Sequence, residues 1–159
     1  MSHGDVLLFY RIAVGAMLSF VLGWEREVRG APAGDRTYSL VGTASAAVTA
    51  VTIHSSPQAV GGVVTGIGFV GAALVFRSLG GTLRGVTSAA TVFAAAAIGI
   101  VAGAGHLVLA LLTTAFVLLI LELRNIPVLR LLDSRRYADR MKSDETDDYP
   151  DAPEAQPPA

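Results

Sequence analysis

Forty consecutive residues, Thr37 to Phe76, contain no Asp, Glu, Lys or Arg, and neither do the 37 from Gly85 to Leu121. A soluble antiparallel helix pair needs a polar outer face, which such runs cannot supply. A bilayer accepts them: one helical crossing takes about 20 apolar residues, so each run is long enough for two. Each is also broken once near its middle. The first break is "HSSPQ", His54 to Gln58, where Pro57 can open the next helix. The second is "GAGH", Gly103 to His106, a Gly-rich reversal. With the apolar stretch Val6–Gly23, the sequence predicts an all-α, polytopic membrane helix bundle with five transmembrane helices, at about 6–23, 38–53, 59–76, 86–103 and 106–121.

Composition agrees. Charged residues make up 16% of the 159 and hydrophobic residues 52%, against about 25% charged in soluble domains. There is no cysteine, which excludes disulfides, thiolate chemistry and Cys-ligated zinc. No basic segment or clear cleavage site accompanies Val6–Gly23, so it is read as a retained span. Eleven of the twelve basic residues fall in alternate connections: Arg26, Arg29 and Arg36; Arg77 and Arg84; and six from Arg124 to Lys142. The positive-inside rule then places those connections in the cytoplasm, the N-terminus outside and the C-terminus inside. Residues 123–142 read as a juxtamembrane amphipathic helix with Asn125 as N-cap and Pro127 in its first turn. Residues 143–159, acidic and Pro-rich, read as a disordered tail.

Lipid tails give helices no hydrophobic reason to associate, so close approach falls to small residues. Span one carries Gly15, Ser19 and Gly23 at a spacing of four. Span three carries Gly62, Gly66, Gly68 and Gly71, and span four Ala95, Gly99 and Gly103. Three such stripes predict a tight bundle.

The connection "GWEREVRGAPAGDRTYSL", Gly23 to Leu40, mixes Glu25, Glu27 and Asp35 with Arg26, Arg29 and Arg36. Topology alone needs only the basic residues, so the acids raise the alternative of an ion-paired cluster or docking surface. Thr87 and Ser88 either cap span four or join that cluster. Arg11 is the one charge within a span; it either snorkels to the outer headgroups or bonds backbone carbonyls at a helix break. The three histidines fall on the predicted outer side, as solvated loop residues or as acid reporters. No phosphate loop of the Walker type is present, and the spans hold no acid for a cation.

Three segments together resemble the MgtC/SapB family. "GWERE…AGDRTYSLVG" is similar to its Gly-x-Glu-Arg and Ala-Gly-x-Arg-Thr elements, through Gly23, Glu25, Arg26, Gly34, Arg36 and Thr37. "GIGFVGAALVF", Gly66 to Phe76, resembles the Gly-Ile-Gly-Phe-Leu-Gly-Ala-Gly element, and "RGVTSAATVF", from Arg84, the Gly-x-x-Thr-Ala-Ala segment. The chain departs from the family pattern at Asp35, Gln58, Ala73 and Phe93. The resemblance implies an inner-membrane protein linked to magnesium homeostasis and to acid or low-magnesium stress, similar to the shorter SapB-like members that lack a C-terminal soluble domain.

The expectation is therefore a non-enzymatic regulator without cofactor or resident metal. Its candidate cytoplasmic cluster is Glu25, Arg26, Gly34, Arg36 and Thr37, with Arg84 and Thr87 as neighbours. Its partners would be the bilayer, another membrane complex or a second copy, and not nucleic acid. The alternative is a small transporter or channel for a cation or small solute.

Overall fold

A computed structural model describes residues 2–76 and 85–122; the predicted amphipathic helix, the acidic tail and Arg84 lie outside them. The described residues are all-helical, with five helices: α1 His3–Val28, α2 Asp35–Thr52, α3 Gln58–Phe76, α4 Val86–Gly103 and α5 Leu107–Glu122. Three are long and apolar enough to cross a membrane: α1, α3 over Gln58–Val75, and α4. α5 is apolar but has 16 residues. α2 has 18 and includes six Ser or Thr as well as Asp35 and Arg36. The chain divides into two units, Met1–Leu119 and Ile120–Ala159. Only the last residues of α5 are described in the second.

α1 begins at a capping box: the Ser2 hydroxyl accepts from the Asp5 amide, and the Asp5 carboxylate accepts from the Ser2 amide. Its 26 residues span about 39 Å at 1.5 Å per residue, more than the roughly 30 Å of a hydrocarbon core. The predicted span ended at Gly23, but the helix continues through Val28. Glu25, Arg26 and Glu27 are thus fixed on a rigid element, where the sequence reading had a loop.

α1, α2 and α4 pack against one another along a seam of small residues. A Cβ added at Gly15 would lie 2.9 Å from Ala46 Cβ on α2 and 3.4 Å from Ala102 Cβ on α4. One at Gly23 would lie 2.7 Å from Tyr38 Cβ. At Gly99 it would meet the Gly42 carbonyl oxygen, and at Gly103 that of Ala46. Gly42 is filled by the Ser19 side chain, whose hydroxyl donates to the Ala95 carbonyl at 3.4 Å. Leu22, Tyr38, Val92, Ala95, Ile98 and Ala102 are fully buried in this unit. The seam brings backbones together where any larger side chain would hold them apart, which is how helices gain contact in lipid.

The third helix corrects the sequence expectation. Half of α4 is buried within the chain, but only 6% of the α3 span. Gly62, Gly66 and Gly68 face open space, with no atom within 4 Å of an added Cβ. Only Gly71 of that stripe meets a neighbour, Ala89 on α4, at 3.6 Å. α3 is tied to α4 chiefly at its end, where Gly85 opens α4 at φ +96°. There a Cβ would fall 2.8 Å from the Leu74 carbonyl oxygen. Small residues permit close approach but do not specify a partner, so the stripe on α3 carried no information about whether this chain supplies one.

Candidate functional site

The seam ends at a junction of three helix termini: the C-terminal turns of α1 and the N-terminal turns of α2 and α4. At α1 the Glu25 and Arg26 side chains are 14% and 13% exposed, with Arg26 Nε 3.4 Å from Glu25 Oε2. Arg29 Nε pairs with Glu25 Oε1 from the next turn, the favourable order of acid before base on a helix. Yet both Glu25 oxygens and Arg26 Nε are buried without a hydrogen bond of good geometry. The charges are paired by proximity, with Arg29 against one Glu25 oxygen and Arg26 near the other. Buried polar groups in native proteins are nearly always satisfied by protein or ordered water, so these atoms call for a further partner.

Glu27, one residue on, points to the other side of the junction. Its carboxylate accepts from the Asp35 amide at 2.9 Å, an anion at a helix start, where unpaired amides and the helix dipole favour negative charge. This contact explains Gly34. Its φ of −114° needs no glycine, but a Cβ there would coincide with the Glu27 carboxylate. Asp35 accepts from the Arg36 amide at 2.5 Å. Arg36 is exposed and shares an open depression of about 520 Å³ with Glu27, Ala31, Gly34, Asp35 and Thr37.

Tyr38 joins α2 to α4. It is fully buried, and its hydroxyl lies 2.5 Å from Thr91 Oγ1 and 3.4 Å from the Ser88 carbonyl. Thr91 Oγ1 also lies 2.9 Å from the Thr87 carbonyl and 3.0 Å from that of Ser88. Each hydroxyl has one proton to give. The consistent assignment has Thr91 donating to a carbonyl of its own helix and Tyr38 donating to Thr91. Arg26 and Glu25 lie within electrostatic reach of the phenol, so one buried network borders the ion pair and the start of α4.

Of the sequence candidates, Glu25 and Arg26 are brought together in the buried pair. Gly34, Arg36 and Thr37 line the depression instead, and Thr87 is exposed, touching the network only through its carbonyl. The sequence reading missed Tyr38, Gly42, Ser88 as a Tyr38 partner, Thr91, and the contact of Glu27 with the Asp35 amide. A signal existed: Tyr38, Gly42 and Ala46 recur at a spacing of four on α2, the one face that passes against both α1 and α4. Among the described residues no group of three or more His, Cys, Asp or Glu is placed to hold a metal ion.

Helices long and apolar enough to cross a bilayer, a glycine seam and a charged junction at its end define a helical membrane protein. Comparison with known sequences gives the particular family: the MgtC family pattern matches residues 12–127, and the chain belongs to that family. It is 35% identical to Protein SrpB of Synechococcus elongatus, over 77% of this chain and 78% of that protein. It is 35% identical to Protein MgtC of Brucella abortus, over 77% of this chain and 52% of that protein. With Protein MgtC of Salmonella typhimurium it shares 37% identity, over 64% of this chain and 46% of that one. The chain thus spans about half the length of the MgtC proteins it matches. No solved structure matches it.

Proposed function

We propose that the chain is a five-span protein of the bacterial inner membrane, with its N-terminus outside, that acts as a non-enzymatic regulator in magnesium homeostasis and in acid or low-magnesium stress. The junction of α1, α2 and α4 is its working surface on the cytoplasmic face. The observation that supports this reading is the Glu25–Arg26 pair, mostly buried at the end of the glycine seam and incompletely hydrogen-bonded within the described residues. Leaving a buried carboxylate short of partners costs free energy, and the α1–α2–α4 seam holds it there. A partner's polar group reaching Glu25 or Arg26 would complete their hydrogen bonding, while the exposed Arg36 and the half-buried Thr37 offer the first contact. The partner would be a second membrane complex or another copy of the chain. The MgtC name of the relatives, with the family's association with magnesium, supplies the physiological setting.

The test is complementation of a deletion strain at limiting magnesium. Glu25→Arg and Arg36→Glu should abolish growth rescue while leaving the amount of protein in the membrane fraction unchanged. Full rescue by both would end the platform reading. Magnesium flux through liposomes carrying the purified protein would establish the transporter alternative instead.

A further inference from the structure

Arg11 has no partner among the described residues, and its position makes that unusual. It lies one helical turn before Gly15, on the face of α1 that Gly15 and Ser19 bury against α2 and α4. It is partly buried. It sits five residues past Val6, about 7.5 Å along the helix axis. Side chains on a helix lean toward its N-terminus, and the guanidinium reaches the α4–α5 turn. There a Cβ on Gly105 would lie 3.0 Å from Arg11 Cζ and 3.1 Å from Nη2. Gly105 adopts φ +94°, a backbone conformation that favours glycine. No hydrogen bond or ion pair engages Arg11 among the described residues. Asp5, the one described acid near this end, is taken up by its capping box with Ser2. The Thr49 hydroxyl, against Gly103 on the same seam, is wholly buried and also without a partner.

A guanidinium carries its charge at any physiological pH and presents a planar fork of donors that matches phosphate. Held between a helix and a turn, with no carboxylate in reach among the described residues, it is free to pair with an anion. We propose that Arg11 and the turn at Gly105 form a phosphate site at the end of the seam opposite Glu25. It would take the phosphate of an anionic phospholipid headgroup or free phosphate. The inference rests on α1 crossing the bilayer, as proposed above, and is independent of the regulatory reading.

The full chain, purified in dodecyl maltoside without phosphate, would be titrated with phosphatidylglycerol or with inorganic phosphate. The midpoint of heat-induced loss of the monodisperse species would be followed. A saturable rise with the lipid identifies the headgroup as the source, and one with inorganic phosphate identifies the soluble anion; either supports the site. Arg11→Gln should raise the concentration needed by about tenfold or more, as for loss of a charge-assisted hydrogen bond. Arg11→Lys, which keeps the charge but not the fork, should fall between. No rise in the wild type with either probe, or the same response in Arg11→Gln, would overturn the proposal. Alkaline extraction of wild-type membranes tests the crossing separately: release of the chain into the soluble fraction would defeat that reading whatever the titrations show.

Discussion

Two helices of this chain, α3 and α4, carry stripes of small residues and use them in opposite ways. Gly99 and Gly103 on α4 sit against backbone carbonyls of α2, while Gly62, Gly66 and Gly68 on α3 meet nothing. Both stretches place small residues at a spacing of four, Gly62 and Gly66 on one and Ala95, Gly99 and Gly103 on the other. What distinguishes them is the partner: α2 presents Gly42 and Ala46 at matching height, and α1 presents Gly15 and Ser19. A close-packed helix interface is therefore a property of facing stripes, and one stripe alone does not define it. The difference also locates the junction, because only the helices in the seam deliver their ends to it.

The comparison can be broken by substitution. Gly99→Val should have the largest effect, since its Cβ would displace the Gly42 carbonyl and not a flexible side-chain end. A loss of about 3 kcal/mol or more is expected, seen as loss of monodisperse protein after detergent extraction. Tyr38→Phe removes the donor to Thr91 but leaves Thr91 bonded to its own helix. About 1 kcal/mol is expected, measured as a lower thermal midpoint with the protein still folded. Gly34→Ala should cost somewhat less, because the Glu27 carboxylate can swing away at the loss of its bond to the Asp35 amide. Gly34→Ala combined with Glu27→Gln should be no worse than the stronger single change. Gly66→Ala should be smallest, within about 0.5 kcal/mol of wild type and of either sign. A loss as large as that of Gly99→Val would mean that α3 has a packed partner in the membrane.

Much of the fold was legible because the bilayer leaves few choices: two charge-free runs, each with one polar or Gly-rich break, require helices, and helices form there. The ends were less legible. Nothing in Trp24–Val28 stops a helix before Gly30, so the charges taken for a loop extend α1 by more than a turn. Glu25 and Arg26 could be picked out by their charge amid apolar sequence. Tyr38 and Thr91 could not, because a hydroxyl that closes a buried network looks, in sequence, like any other polar residue in a membrane helix. The role of Gly34 was hidden for a related reason: it depends on where Glu27 lies in space, seven residues away.

The account depends on α1 and α4 meeting at the glycine seam, and the absence of cysteine in the chain makes that directly measurable. Gly15 and Ala102 place their Cβ positions 3.4 Å apart, close to disulfide geometry. In native membranes under mild oxidation, Gly15→Cys with Ala102→Cys should form an intramolecular disulfide rapidly, whereas Gly62→Cys with Ala102→Cys should not. Failure of the first pair to link, or its linking only between chains, would contradict the seam and the junction it supports.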